Sequence, residues 1–202
     1  MIPPLLVVLA LLPSGAAPAQ SAWRSRAALT LEARGEIGKG DVAGIYLGAL
    51  GAGFEWRLIP RLRLRTTALL LGTAGSTDTG KSAGGGAGGE LAARVVPFPD
   101  WPVQPYLRLS IGFLLFLREP FLPGGDFYEF ISGLGAGLAI PIGTRVSLTG
   151  DLQIVHLSNG QGLGPFNPAF SGFGGLIGIT YALAPKPAPG ATPADPQSAT
   201  PR

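Results

Sequence analysis

The sequence contains no cysteine. That excludes a disulfide scaffold and thiolate-ligated zinc or iron–sulfur sites. Charge is scarce as well: Asp, Glu, Lys and Arg make up 13% of the 202 residues, against roughly 25% in a soluble domain. The cationic surplus is small, 15 Lys and Arg against 12 Asp and Glu, so the chain is not a basic nucleic-acid binder. Long apolar runs are also missing. None beyond the N-terminus reaches the roughly 18–20 residues of a transmembrane helix, although the mean hydropathy is +0.34. Glycine, by contrast, is abundant, at 32 residues. An apolar, glycine-rich, charge-poor chain without long apolar runs fits a membrane β-barrel, whose segments of ~10 residues alternate in hydropathy. The expected fold is all-β, a single eight-stranded antiparallel transmembrane barrel of the outer membrane.

The two ends differ from the middle. Residues 1–19 read as a signal peptide, with a short apolar region from Pro3 to Leu12 and a small-x-small cleavage site at Ala17-Pro18-Ala19. Residues 20–183 form the barrel. Residues 184–202 are rich in Pro and Ala without apolar periodicity, the composition of a disordered tail. Export separates the chain from free nucleotides, which are not expected partners.

Eight segments alternate with period two, the signature of strands: 22–34, 42–58, 61–72, 82–96, 105–118, 127–140, 145–158 and 169–183. The run Arg61-Leu62-Arg63-Leu64-Arg65 shows it most clearly, and the Gly/Ala-rich fourth segment shows it least. Turns near 59–60, 97–104 and 141–144 carry proline; segments 35–41, 73–81, 119–126 and 159–168 are polar or glycine-rich. These alternate as short periplasmic turns and longer outer loops. Trp23, Trp56 and Trp101 then fall at the periplasmic rim, as an interfacial aromatic girdle does. Arg24, Arg26, Glu32, Arg63, Arg65, Arg108, Arg145 and Asp151 share inward parity. A barrel of eight strands is filled by side chains, so opposite charges there satisfy one another and a diffusion pore is not expected. Glycines on the fourth, sixth and eighth segments allow tight coiling.

Gly75-Ser76-Thr77-Asp78-Thr79-Gly80-Lys81-Ser82 matches the phosphate-loop pattern. That chemistry needs a helix directly after the loop. The following Ala83-Gly84-Gly85-Gly86-Ala87-Gly88-Gly89 is among the poorest helix formers possible, so the segment reads as an outer loop and no nucleotide is expected. Gly133-x-Gly135-x-Gly137 reads as close-packed strand backbone.

The informative site closes the seventh segment, at Ile154-Val155-His156-Leu157-Ser158-Asn159-Gly160. His156 is the single histidine of the protein. It shares parity with Leu148, Leu152, Ile154 and Ser158, while Ser147, Asp151 and Gln153 have the opposite parity. His156 and Ser158 therefore face lipid near the outer rim. Polar groups facing lipid are disfavoured and point to function. An i, i+2 pair separates its Cα atoms by ~6.5 Å, which an imidazole can bridge to a hydroxyl. A neutral imidazole takes the hydroxyl proton, and the alkoxide attacks an ester carbonyl. The bland alternative is two rim residues bonded to water and headgroups.

His156-Leu157-Ser158-Asn159, followed by Asn167-Pro168 and a glycine-rich apolar strand, resembles the outer-membrane lipid A 3-O-deacylases, also called acyloxyacyl hydrolases. The resemblance covers about 155–183. It implies an eight-stranded barrel that removes an ester-linked acyl chain from lipid A, or lipopolysaccharide, in the outer leaflet without metal or cofactor. By that resemblance Ser158 is the nucleophile, His156 the base and Asn159 an oxyanion contributor. The H-x-S-N-G string also occurs in outer-membrane phospholipase A, a twelve-stranded barrel. One departure stands out: the family's glutamate at the start of the last strand aligns with Ser171 here. Ser171 shares parity with Phe173, Ile177 and Ile179, so it faces outward beside the seventh strand. Asn167, Asp126 and Glu119 are alternatives for this third role. A hydroxyl fixes the tautomer but stabilises imidazolium less than a carboxylate. A non-catalytic structural barrel and a phospholipase A-type hydrolase remain the competing readings.

Overall fold

In a computed structural model of the chain, residues 25–40, 45–77, 80–117, 127–142, 144–158 and 169–183 are described. The expected signal peptide and tail, and Trp23 and Arg24, lie outside them. Eight strands run in chain order: β1 (Ala27–Gly40), β2 (Ile45–Ile59), β3 (Leu62–Thr77), β4 (Gly80–Val95), β5 (Gln104–Phe116), β6 (Tyr128–Pro141), β7 (Val146–Ser158) and β8 (Ala169–Ala182). Each pairs antiparallel with the next, and β1 pairs with β8 to close the barrel. Closure removes the two open edges that a flat sheet would present. The terminal rim carries Ser25, Leu183 and the turns after β2, β4 and β6; the distal rim carries the other four connections.

Period two set the faces as expected. Leu29, Leu50, Leu70, Leu109, Leu134, Leu152 and Ile177 are exposed on the outside, while Glu32, Arg63, Arg65, Arg108 and Asp151 are buried inside. An apolar exterior this continuous is suited to hydrocarbon, not water. Strands of 13 to 16 residues exceed the roughly 9–11 that cross a bilayer. The excess corrects two expectations. Most of 35–41 and 73–81, read as loops, is strand: the β1–β2 ladder continues to Gly38↔Ile45 and the β3–β4 ladder to Thr77↔Gly80. Small and polar residues complete a backbone ladder without an apolar face where water reaches both sides. The phosphate-loop match therefore lies on two paired strand ends, with β4 and not a helix after it. Arg26 and Arg145 also depart from the inward reading. Both lie just outside strand ends, where parity no longer holds, and are exposed. Of the tryptophans, Trp56 and Trp101 lie near the terminal rim; Trp101 stacks on Phe98 at 4.2 Å.

The lumen is filled in layers. A charged middle layer interleaves Arg34, Arg63, Arg65, Arg94 and Arg108 with Glu32, Glu55, Glu90 and Asp151. Glu55 and Glu90, the central acceptors, lie on segments whose sequence pattern is dominated by apolar and glycine residues. Towards the distal rim Ile45, Leu47, Leu69, Leu71, Leu114, Phe116, Ile131, Val155, Leu157 and Phe170 form an apolar cluster, with the buried carboxylates of Glu36 and Glu129 beside it.

Glycines serve two different purposes. On β6, a Cβ at Gly137 would meet Gly150 O at 2.3 Å and the Tyr106 ring at 2.7 Å. That glycine admits the ring whose hydroxyl donates to Asp151 Oδ2 at 3.0 Å. On the outside, Gly175, Gly35, Gly48, Gly72 and Gly85 lie side by side across β8, β1, β2, β3 and β4. Cβ atoms there would meet nothing closer than 3.5 Å, so packing within the barrel does not require them. Gly137→Ala is expected to lower stability by about 1–3 kcal/mol through overpacking, and Gly35→Ala to stay within about 0.5 kcal/mol. Urea midpoints of the refolded variants, read by gel mobility, check this. Equal midpoints would mean that the β6 wall yields to an extra methyl.

Candidate functional site

The site is built where β6, β7 and β8 approach the distal rim. β7 alternates strictly, so His156 and Ser158 turn outward while Val155 and Leu157 turn into the lumen. β8 places Ser171 outward between buried Phe170 and Gly172. Register makes His156 and Ser171 a directly opposed pair, and Leu157 and Phe170 the next. The outer pair is thus backed by two side chains with 0% exposure. Gly172 permits this backing: a Cβ there would lie 2.7 Å from the Phe170 ring. Dense packing behind a short stretch of wall holds the outward side chains in place.

His156 Nδ1 lies 3.0 Å from Ser171 Oγ. With the hydroxyl accepting from Nδ1–H, Nε2 carries the free lone pair and is the basic atom of the ring. Ser158 sits one pleat further along β7, towards the distal rim. Among the described residues its hydroxyl makes no hydrogen bond to the ring. Asn159 and Asn167, and the alternatives Asp126 and Glu119, lie outside the described residues.

A fourth polar residue completes the patch. Ser132 of β6 is outward-facing and stands directly across the ladder from His156 on the side away from Ser171. Sequence reading placed a strand over 127–140, and parity on it marks Ser132 as outward. What it lacked was the register that sets Ser132 level with His156. Along the outward positions of β5 to β8, Ser132, His156, Ser158 and Ser171 are the non-aromatic polar side chains among the described residues, and all four adjoin. Phe130, Leu134, Ile154 and Phe173, each more than half exposed, surround them. The patch therefore joins a base, three hydroxyls and an apolar border on one outward surface. Such a set suits transfer of an acyl group from an apolar molecule.

No protein-family model matches the chain, and neither does any curated protein. Solved structures do. The outer membrane enzyme PagL aligns over 74% of this chain and 97% of its own, with a TM-score of 0.51 and 17% identity. Neisserial surface protein A aligns over 79% and 98%, with a TM-score of 0.57 and 15% identity. OprG from Pseudomonas aeruginosa aligns over 79% and 96%, with a TM-score of 0.50 and 12% identity. At these identities the likeness is one of fold: a closed eight-stranded antiparallel barrel of the kind found in outer-membrane proteins.

Proposed function

We propose that this protein is an outer-membrane serine esterase that removes an ester-linked acyl chain, at the 3-O position, from lipid A in the outer leaflet. The observation that carries this reading is the outward polar patch, in which the protein's single histidine is held by Ser171 with Ser158 beside it. Polar side chains on a lipid-facing wall are costly unless they serve a purpose. At the distal rim they stand level with the acyl esters of the outer leaflet, so a substrate can react without leaving the membrane. Similarity in fold to an outer membrane enzyme is consistent with the reading, and the fold by itself also accommodates a non-catalytic barrel.

In this reading Ser171 accepts Nδ1–H and fixes the tautomer of His156. Nε2 takes the proton of Ser158 as Oγ attacks the ester carbonyl. The tetrahedral oxyanion is received by Asn159, with Asn167 in support. Collapse breaks the ester C–O bond, and the imidazolium gives its proton to the departing sugar oxygen. Water, deprotonated by the same ring, then releases the fatty acid and restores Ser158. The acyl chain lies against Leu152, Ile154, Phe173 and Ile177, an exposed apolar strip below the patch. Lys39 pairs with Ser171 in the β1–β8 register.

The test uses the purified, refolded full chain in detergent. Incubation with hexa-acylated lipid A, followed by mass spectrometry, is expected to show loss of one hydroxyacyl chain. Phospholipid run in parallel separates a phospholipase: cleavage of phospholipid alone would reassign the substrate. No acyl loss from either by folded protein would leave a structural barrel.

A further inference from the structure

We infer that Ser132 of β6 is a further catalytic residue of this site, a hydroxyl that donates a hydrogen bond to the reacting ester. The inference rests on the esterase reading above and extends it to a residue on a third strand. Three observations carry it. Ser132 is exposed on the outward face, on a strand whose other outward residues from Phe130 to Leu138 are Phe130, Leu134, Ala136 and Leu138. A hydroxyl on a hydrocarbon-facing wall is costly, and an apolar residue would serve the wall better. Ser132 is also in direct register with His156, and its neighbour on β5, Ile111, is apolar, so the polar row ends at Ser132.

The third observation is the orientation of the ring. Nδ1 is committed to Ser171 on β8. The two ring nitrogens point in diverging directions, so with Nδ1 directed to β8 the Nε2 lone pair points out of the sheet and leans away from β8, toward the β6 side. An ester carbonyl attacked by Ser158 under the control of Nε2 then sits above the gap between β6 and β7. Ser158 borders that gap at the distal end, opposite Phe130 in the β6 register, and Ser132 borders it one pleat below. The short side chain of Ser132 points out of the sheet into this space. As the carbonyl oxygen gains charge, a hydroxyl there strengthens its hydrogen bond, the property that distinguishes transition-state from ground-state binding.

The test compares kcat and KM on lipid A for wild type, Ser132→Ala and Ser132→Thr, each confirmed folded by its heat-dependent gel mobility. Ser132→Ala is expected to lower kcat by about 100-fold, at the low end for loss of one oxyanion donor, with KM within about twofold. Ser132→Thr, which keeps a hydroxyl and a residue suited to strands, is expected to recover most of the loss. A wild-type kcat for Ser132→Ala, or a loss confined to KM, would overturn the assignment while leaving the esterase standing. Equal losses in the Ala and Thr variants would also overturn it, since they would indicate a steric rather than a hydrogen-bonding role. A folded wild type inactive on every acyl ester would remove both.

Discussion

Ser158→Ala and His156→Ala are each expected to abolish the proposed release of an acyl chain, while both variants fold and resist heat as the wild type does. In a nucleophile–base pair, removal of either member removes nearly the whole chemical step. The expected fall in kcat is about 10⁴–10⁶-fold, and the double variant falls little further, because the two act as one unit. Neither change should disturb the barrel, since both side chains are outward and neither contributes to the lumen. The single-turnover rate of acyl loss, measured by mass spectrometry, decides the matter. A Ser158→Ala variant with more than a tenth of wild-type activity would exclude Ser158 as the nucleophile and shift the search to Ser132 or Ser171. Ser171→Glu supplies the complementary result. A carboxylate in place of the hydroxyl that lies 3.0 Å from Nδ1 would stabilise the imidazolium formed on attack. Its activity is expected to rise, and a fall would mean that the hydroxyl is tuned to its surroundings.

The largest effect on stability is expected in the lumen. Glu55 accepts from Arg63 at 3.1 Å, from Arg65 at 3.0 and 3.2 Å, and from Arg94 at 2.7 Å. All three guanidinium groups and the carboxylate are buried. Glu55→Ala leaves these cations without their central counter-charge in a closed interior. Breaking a buried ion pair by removing one partner costs about 3–5 kcal/mol, and here one carboxylate serves three. Glu55→Gln preserves the shape and one acceptor, so it is expected to lose less. Urea unfolding in detergent micelles measures both. An unchanged midpoint for Glu55→Ala would show that water enters the lumen and solvates the arginines. The network lies in the middle of the lumen, away from the distal rim, so the folded fraction of either variant should retain wild-type acyl release. Coupled loss of stability and activity would instead tie the charged layer to the site.

Much of this architecture was legible because a strand repeats every two residues. Parity alone assigns each side chain to the lumen or the exterior, and eight alternating segments close a barrel with no surplus strand. Leu157 between His156 and Ser158 is enough to turn the last two outward, and Phe170 and Gly172 do the same for Ser171. Parity fails where the ladder ends, as Arg26 and Arg145 show. It also fails to bound a strand once the residues are small and polar on both faces, as in 73–77, where hydrogen bonds and not hydropathy continue the wall. Composition blurs the pattern in a third way: glycine weakens the alternation around Glu90, and apolar residues dominate the segment that carries Glu55.

The sequence by itself determined the barrel, the face on which each side chain stands and the outward placing of His156, Ser158 and Ser171, because period two is a local property of the chain. Only the tertiary structure decided height. The level at which one strand meets its neighbour is set by closing the ladder around all eight strands, and no local pattern encodes it. That closure brought Ser171 to Nδ1 of His156, set Ser132 on the other side of the ring, and gathered Arg63, Arg65 and Arg94 around Glu55.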